Sequence, residues 1–110
     1  MHSVLYRPEN IHLLIRVKAK KNELDAVVSE AYKTIAMTHK EEGCLEYRVF
    51  HIDSDVMIFG TWKDEKSLEL HLLLKYHIDM IEKHLPLLSK KINLKVYTEI
   101  EPPITALSVQ

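Results

Sequence analysis

Between Ile11 and Ala19 the chain alternates, with Ile11, Leu13, Ile15 and Val17 set against His12, Leu14, Arg16 and Lys18. A period of two with one strongly apolar side predicts a strand over Ile11 to Ala19. The period then lengthens: Leu24, Val27, Val28, Ala31 and Ile35 recur at helical spacing, with Asn22 as an N-cap and Asp25 three residues on. Helix one is expected from Asn22 to about Glu41, stopped by Gly43 in the left-handed conformation that ends many helices. Cys44 to Ile52 and Val56 to Lys63 are rich in Val, Ile, Phe and Tyr and are separated by Asp53, Ser54 and Asp55, which predicts a hairpin. Asp64 is a second N-cap, before a helical stretch whose stripe holds Leu70, Leu73, Leu74, His77, Ile78, Ile81 and Leu85 until Pro86 interrupts it. On this reading His71 sits at the border of the stripe. A last alternating run, Ile92, Leu94, Val96, Thr98 and Ile100, predicts a strand from about Lys91 to Ile100, ended by Pro102 and Pro103.

The predicted order is βαββαβ, an α+β ferredoxin-like split with an antiparallel sheet. It forms one domain over residues 11–100, with an extension at 1–10 and a tail at 101–110. Two helices can cover one face of a four-stranded sheet, so the other face is left to a partner. Leu45, Tyr47 and Val49 oppose Glu46, Arg48 and Phe50. An uncovered face bearing Phe and Leu is a liability, and a two-fold homodimer is the economical way to bury it.

Composition narrows the class without naming a reaction. At 110 residues, 46% apolar and 28% charged, the chain can close one core and is not a disordered sequence. Fifteen basic against 16 acidic residues, with no Lys/Arg cluster, give no surface that tracks phosphates, so nucleic acid is not an expected partner. A single Cys forms no internal disulfide, the start lacks a signal-peptide core, and no apolar run reaches the length of a membrane span. The expected location is the cytoplasm, with no membrane partner.

Candidate chemistry rests on histidine. His2, His39 and His51 fall at the start of the chain, near an element end and near a hairpin turn, where exposure is expected. His12 projects from the face opposite Ile11 and Leu13, toward either solvent or a pocket, and Arg16 shares that face. His71 and His77 are six apart, so on a continuous helix they stand about 120° from each other and could not share an ion unless the helix bends between them. His77 and His84 share a face but lie about 10 Å apart along it, too far for co-ligation. With no His-x-x-x-His, no Cys-x-x-Cys and only two glycines for any phosphate loop, no metal, flavin or other cofactor is expected. Cys44 at a strand start suits a packed structural thiol better than a nucleophile. Tyr47 and Trp62 either fill core or supply flat walls for an aromatic ligand.

Gly43, Cys44, Leu45 and Tyr47 on one strand, Trp62 ending the next, and His71 followed by His77 resemble the antibiotic-biosynthesis-monooxygenase-like family of dimeric α+β barrels, over roughly Ile11 to Ile100. The resemblance implies that paired sheets form a shared barrel. It also implies a small-molecule pocket with His71 and His77 as catalytic groups and Tyr47 and Trp62 as substrate-binding walls, to which His12 is added as a substrate-binding group from its place on the strand face. Some members oxidise quinols or polycyclic phenols with molecular oxygen and without flavin or metal, because a deprotonated electron-rich ring can itself reduce oxygen. Departures are Glu42 for the usual Pro, a His pair one residue further apart, and Tyr76 for the customary Pro before the second His. Haem-degrading relatives use an Asn on strand one, a Trp where His71 stands, and a His ligand near Ile81 or Glu82, so haem degradation is disfavoured. The expected function is a cofactor-independent monooxygenase for a small phenolic or quinol substrate. The alternatives are a non-oxidative isomerase or degrading enzyme of the same fold, in which His12, His71 and His77 shuttle protons, and a non-catalytic metabolite-binding module.

Overall fold

A computed structural model describes residues 7–101, so His2, most of the two tails and Pro102 and Pro103 lie outside the described residues. The elements are β1 (Ile11–Lys18), α1 (Leu24–His39), β2 (Cys44–Ile52), β3 (Asp55–Trp62), α2 (Glu65–Leu73), α3 (Lys75–His84), a short 3-10 turn (Leu85–Leu87) and β4 (Asn93–Thr98). The four strands form one sheet in the order β2-β3-β1-β4, every pair antiparallel. This is the ferredoxin-like arrangement, with the second helical stretch divided in two.

Strand alternation decides what is buried. Leu13 pairs with Gly60 and Ile15 with Ile58, and together with Val17, Val56 and Trp62 they face the helices and form the core with Val27, Ala31, Leu68 and Met80. Each such aliphatic side chain removed from water contributes roughly 1.5–3 kcal/mol. His12, Leu14, Arg16, Met57, Phe59, Arg48 and Phe50 project from the opposite face, which no element among the described residues covers. At the β4 end the helices also stop short, leaving Leu94 and Val96 exposed on the helix side.

Several local expectations are corrected. Asn22 does not cap α1: it takes φ 67°, a left-handed turn residue, and the helix starts at Leu24 after Glu23. Gly43 has no positive φ. It is needed for space, because a Cβ there would lie 2.3 Å from Ser67 Oγ where the start of β2 crosses the first turn of α2. Asp64 is the N-cap expected of it, accepting from Ser67 N at 2.8 Å. Leu45 is exposed rather than paired with Tyr47 on the inner face, because a register shift between Cys44 and Glu46 turns it outward. Along α2 the stripe is rotated from the predicted one: Leu68 and His71 are buried, while Leu70, Leu73 and Leu74 are exposed.

Candidate active site

The helix over the sheet breaks at Leu74, which takes φ −68° and ψ 138° between α2 and α3. The amides of His77 and Ile78 both donate to the Leu74 carbonyl at 3.1 Å and restart the helix in a new direction. That bend removes the 120° divergence expected of a straight helix. His71 and His77 have their ring centroids 4.7 Å apart, and both side chains are buried.

His71 is the centre of an aromatic cluster. Trp62 lies 4.5 Å from it centroid to centroid, Tyr76 6.0 Å and Tyr47 6.1 Å. The Nδ1–H of His71 donates to Glu41 Oε2 at 2.7 Å, and Trp62 Nε1–H donates to the other oxygen, Oε1, at 3.1 Å. The Tyr76 hydroxyl also bonds Glu41 Oε2, and has Thr38 Oγ1 at 3.2 Å as a second partner. Glu41 therefore ties together the loop after α1, the end of β3, α2 and α3. Tyr47 is held by Thr34, 3.2 Å from its hydroxyl, while His39 Nε2–H donates to the Tyr47 carbonyl at 3.0 Å and fastens the end of α1 to β2.

Two nitrogens in this arrangement are buried without a hydrogen-bond partner: Nε2 of His71 and Nδ1 of His77. Because Glu41 takes the Nδ1–H of His71, the Nε2 lone pair is available as a base. Burial lowers the pKa of His71, partly offset by Glu41. Burial and the neighbouring His71 lower His77 to about 4, so it is neutral at physiological pH. Burial followed by the adjacent Glu41 carboxylate raises the Tyr76 phenol well above its ordinary value. Cys44 is pushed up to about 11 by burial, which keeps it a thiol, and its Sγ–H donates to the Glu46 carbonyl at 3.4 Å.

His77 also lines a groove of about 490 Å³ with Leu72, Ile78, Ile81, Glu82, Ile92 and Leu94, an apolar trough between α3 and the β4 side of the sheet. Of the five residues expected at the site, His71, His77, Tyr47 and Trp62 come together. Only His77 reaches the groove; Tyr47 and Trp62 are core side chains behind His71, not walls. His71 is likewise fully buried and not at a border. His12 stands apart on the opposite sheet face, where alternation with Ile11 and Leu13 puts it: it bonds Thr61 Oγ1 at 2.8 Å and Glu99 Oε1 at 3.1 Å and stacks on Phe59. His84 is buried, with Nδ1 2.8 Å from the Met80 carbonyl and Nε2 3.1 Å from the Val27 carbonyl, a brace between α1 and α3. Sequence reasoning missed Glu41 and gave Tyr76 no role. Glu41 reads as one member of the charged run Lys40-Glu41-Glu42, and only the fold shows what it touches. Among the described residues no group of three His, Cys, Asp or Glu is arranged to hold a metal ion, and no helix is long and apolar enough to cross a membrane.

The fold and this cluster define a small α+β domain of ferredoxin-like topology that carries a carboxylate-supported histidine pair beside an apolar groove. The model of the antibiotic biosynthesis monooxygenase family matches residues 10–83, and the chain belongs to that family. It is 28% identical over 86 residues to the uncharacterized protein sll1783 of Synechocystis, an alignment spanning 76% of this chain but 57% of that protein. A conserved protein of Methanosarcina mazei Go1 has the same fold with TM-score 0.82 at 21% identity, covering 88% of this chain and 99% of that one. So does a Bacteroides thetaiotaomicron protein described as a possible oxidoreductase, with TM-score 0.76 at 21% identity, over 84% of this chain and 99% of that one.

Proposed function

We propose that the protein is a cofactor-independent monooxygenase that binds a small phenolic or quinol substrate in the His77 groove and uses molecular oxygen. The observation that carries this reading is the buried, unpartnered Nε2 of His71, held as a lone pair by Glu41 and reached from an apolar groove through His77. An apolar trough selects a flat, largely uncharged body, and a neutral histidine at its wall receives a hydroxyl. The substrate O–H breaks, its proton passes by way of His77 to His71 Nε2, and the imidazolium formed is stabilised by Glu41. His77, with its low pKa, suits passing the proton on better than keeping it. The dry, electron-rich anion then reduces oxygen. The ring carbon that bore a C–H takes one oxygen atom and becomes a quinone C=O, the second oxygen atom leaves as water whose two protons balance those of the broken C–H and O–H, and the substrate supplies all four electrons. The family name and the oxidoreductase description of one structural neighbour agree with this reading. A cytosolic homodimer is part of the same proposal.

The test is oxygen consumption over a panel of quinols, phenols and hydroxy-ketones. Uptake that falls at least about a hundredfold in His71→Ala and His77→Ala at matched stability supports it. Isomerisation without uptake would replace it with the non-oxidative reading, and binding without turnover would reduce the protein to a metabolite-binding module.

A further inference from the structure

The Tyr76 hydroxyl has one hydrogen and two oxygens within reach, Glu41 Oε2 and Thr38 Oγ1. Tyr76 is also part of a second surface. With Glu30, Lys33, Thr34, Met37, Asp79, Met80 and Lys83 it lines a cleft of about 140 Å³ between α1 and α3. His77 lines the groove between α3 and β4, and Tyr76 is its immediate neighbour on the first turn of α3. His77, His71, Glu41 and Tyr76 thus run in sequence from one surface of the helix layer to another, with a polar atom at each stage.

We propose that Glu41 and Tyr76 complete a proton outlet, so that a proton taken up at the groove leaves through the α1–α3 cleft rather than back past the substrate. This rests on the reading of His71 as the proton acceptor. When His71 Nε2 gains a proton, its Nδ1–H is passed to Glu41. Tyr76, its hydrogen turned from Glu41 toward Thr38, releases that hydrogen to water in the cleft it lines as its oxygen accepts the proton from Glu41, so the phenol stays neutral and Glu41 returns to the carboxylate. No bond other than N–H and O–H is made or broken, and the charge carried out is one proton. The purpose is physical: a dry anion beside oxygen keeps its electrons available only if the proton does not return to it. Tyr76 is then a positioning and proton-transfer residue that never touches substrate. The titratable and charged groups around the path are Glu82 at the groove, Tyr47 and Cys44 beside Glu41 and His71, Glu42, Lys63, Asp64 and Lys66 in the surface pocket that Glu41 also lines, and Glu30, Lys33, Asp79 and Lys83 at the cleft.

The outlet is measurable without a substrate. In the full chain with ¹⁵N-labelled histidine, the rate at which the His71 Nδ1 proton exchanges with solvent is followed by NMR. Tyr76→Phe removes the hopping oxygen and should slow that exchange about tenfold or more. Thr38→Val, which leaves Tyr76 with Glu41 as its remaining partner, should slow it as well. Exchange as fast as in the wild type in both variants overturns the outlet, as does faster exchange. With a turned-over phenol, Tyr76→Phe should lower kcat and leave KM unchanged. Slowed exchange without oxygen uptake keeps the outlet and ends the oxygenase reading; oxygen uptake with unslowed exchange does the reverse.

Discussion

At the scale of single residues, position in the fold outweighs residue type. Gly43 invites a turn explanation, but its φ is not positive, and what it supplies is room under Ser67. Gly43→Ala should therefore cost about 1–3 kcal/mol in denaturant unfolding, and adding Ser67→Gly should recover part of the loss, because it removes the atoms the new Cβ meets. The histidines divide by environment. His84→Ala breaks two contacts to backbone carbonyls and empties a buried site, and should cost about 2–4 kcal/mol while leaving ligand binding in the groove unchanged. His77 makes stability depend on pH. Its folded pKa, about 4, lies below the unfolded value of 6.5, so the unfolded chain binds the extra proton between those values. The contribution is present in full above pH 6.5 and is lost as pH falls toward 4, on the order of 3 kcal/mol. His77→Leu should flatten the thermal-melting midpoint across that window. None of this is written locally, and Glu41 shows why: in the sequence it is one charge among three, and its partners lie 21, 30 and 35 residues away.

At the scale of elements, strands were legible and the second helical stretch only in part. Alternation in β1 marks the inward set Ile11, Leu13, Ile15 and Val17 because a strand has two faces and the contrast across this one is strong. The nine residues of α2 carry Leu at 68, 70, 72 and 73, so every side of the helix offers an apolar candidate and periodicity cannot choose among them. The sheet chooses, by seating Trp62 against His71. The break at Leu74 has no Pro or Gly to announce it; it occurs where Tyr76, two residues on, is fastened to Glu41 and Thr38. Leu74 is the N-cap of α3, extended, with no side-chain cap bond. Leu74→Ser should supply that bond and stabilise the protein by about 0.5–1.5 kcal/mol in chemical denaturation, with the His71–His77 arrangement retained. A destabilised variant would mean that the exposed Leu74 contributes more through its apolar contacts than a cap can replace.

For the whole molecule the open question is what lies on the far side of the sheet. The helices cover one face. The other presents Leu14, Met57, Phe59, Phe50 and Tyr97 around His12 and Arg16, and no described part of the chain returns to it. The alternation that marks the core in the sequence marks this second face as well, so the need for a partner was legible before the fold; the identity of the partner was not, since an apolar face carries no label. A second copy is the simplest occupant, because identical faces related by a two-fold axis would stack Phe59 and Met57 of the central strands against one another and keep Arg48, on edge strand β2, toward the rim. Burying that face would also fix β1 and β3, the two strands on which Trp62 and, through it, Glu41 and His71 depend. Sedimentation velocity at micromolar concentration should then give twice the chain mass of 12.9 kDa. Phe59→Arg places two cations face to face across the axis in a space without water, and should give a monomer whose circular dichroism keeps the native shape while its melting temperature falls. A monodisperse wild-type monomer, or a Phe59→Arg protein that still sediments at the doubled mass, would show that this face is not the interface.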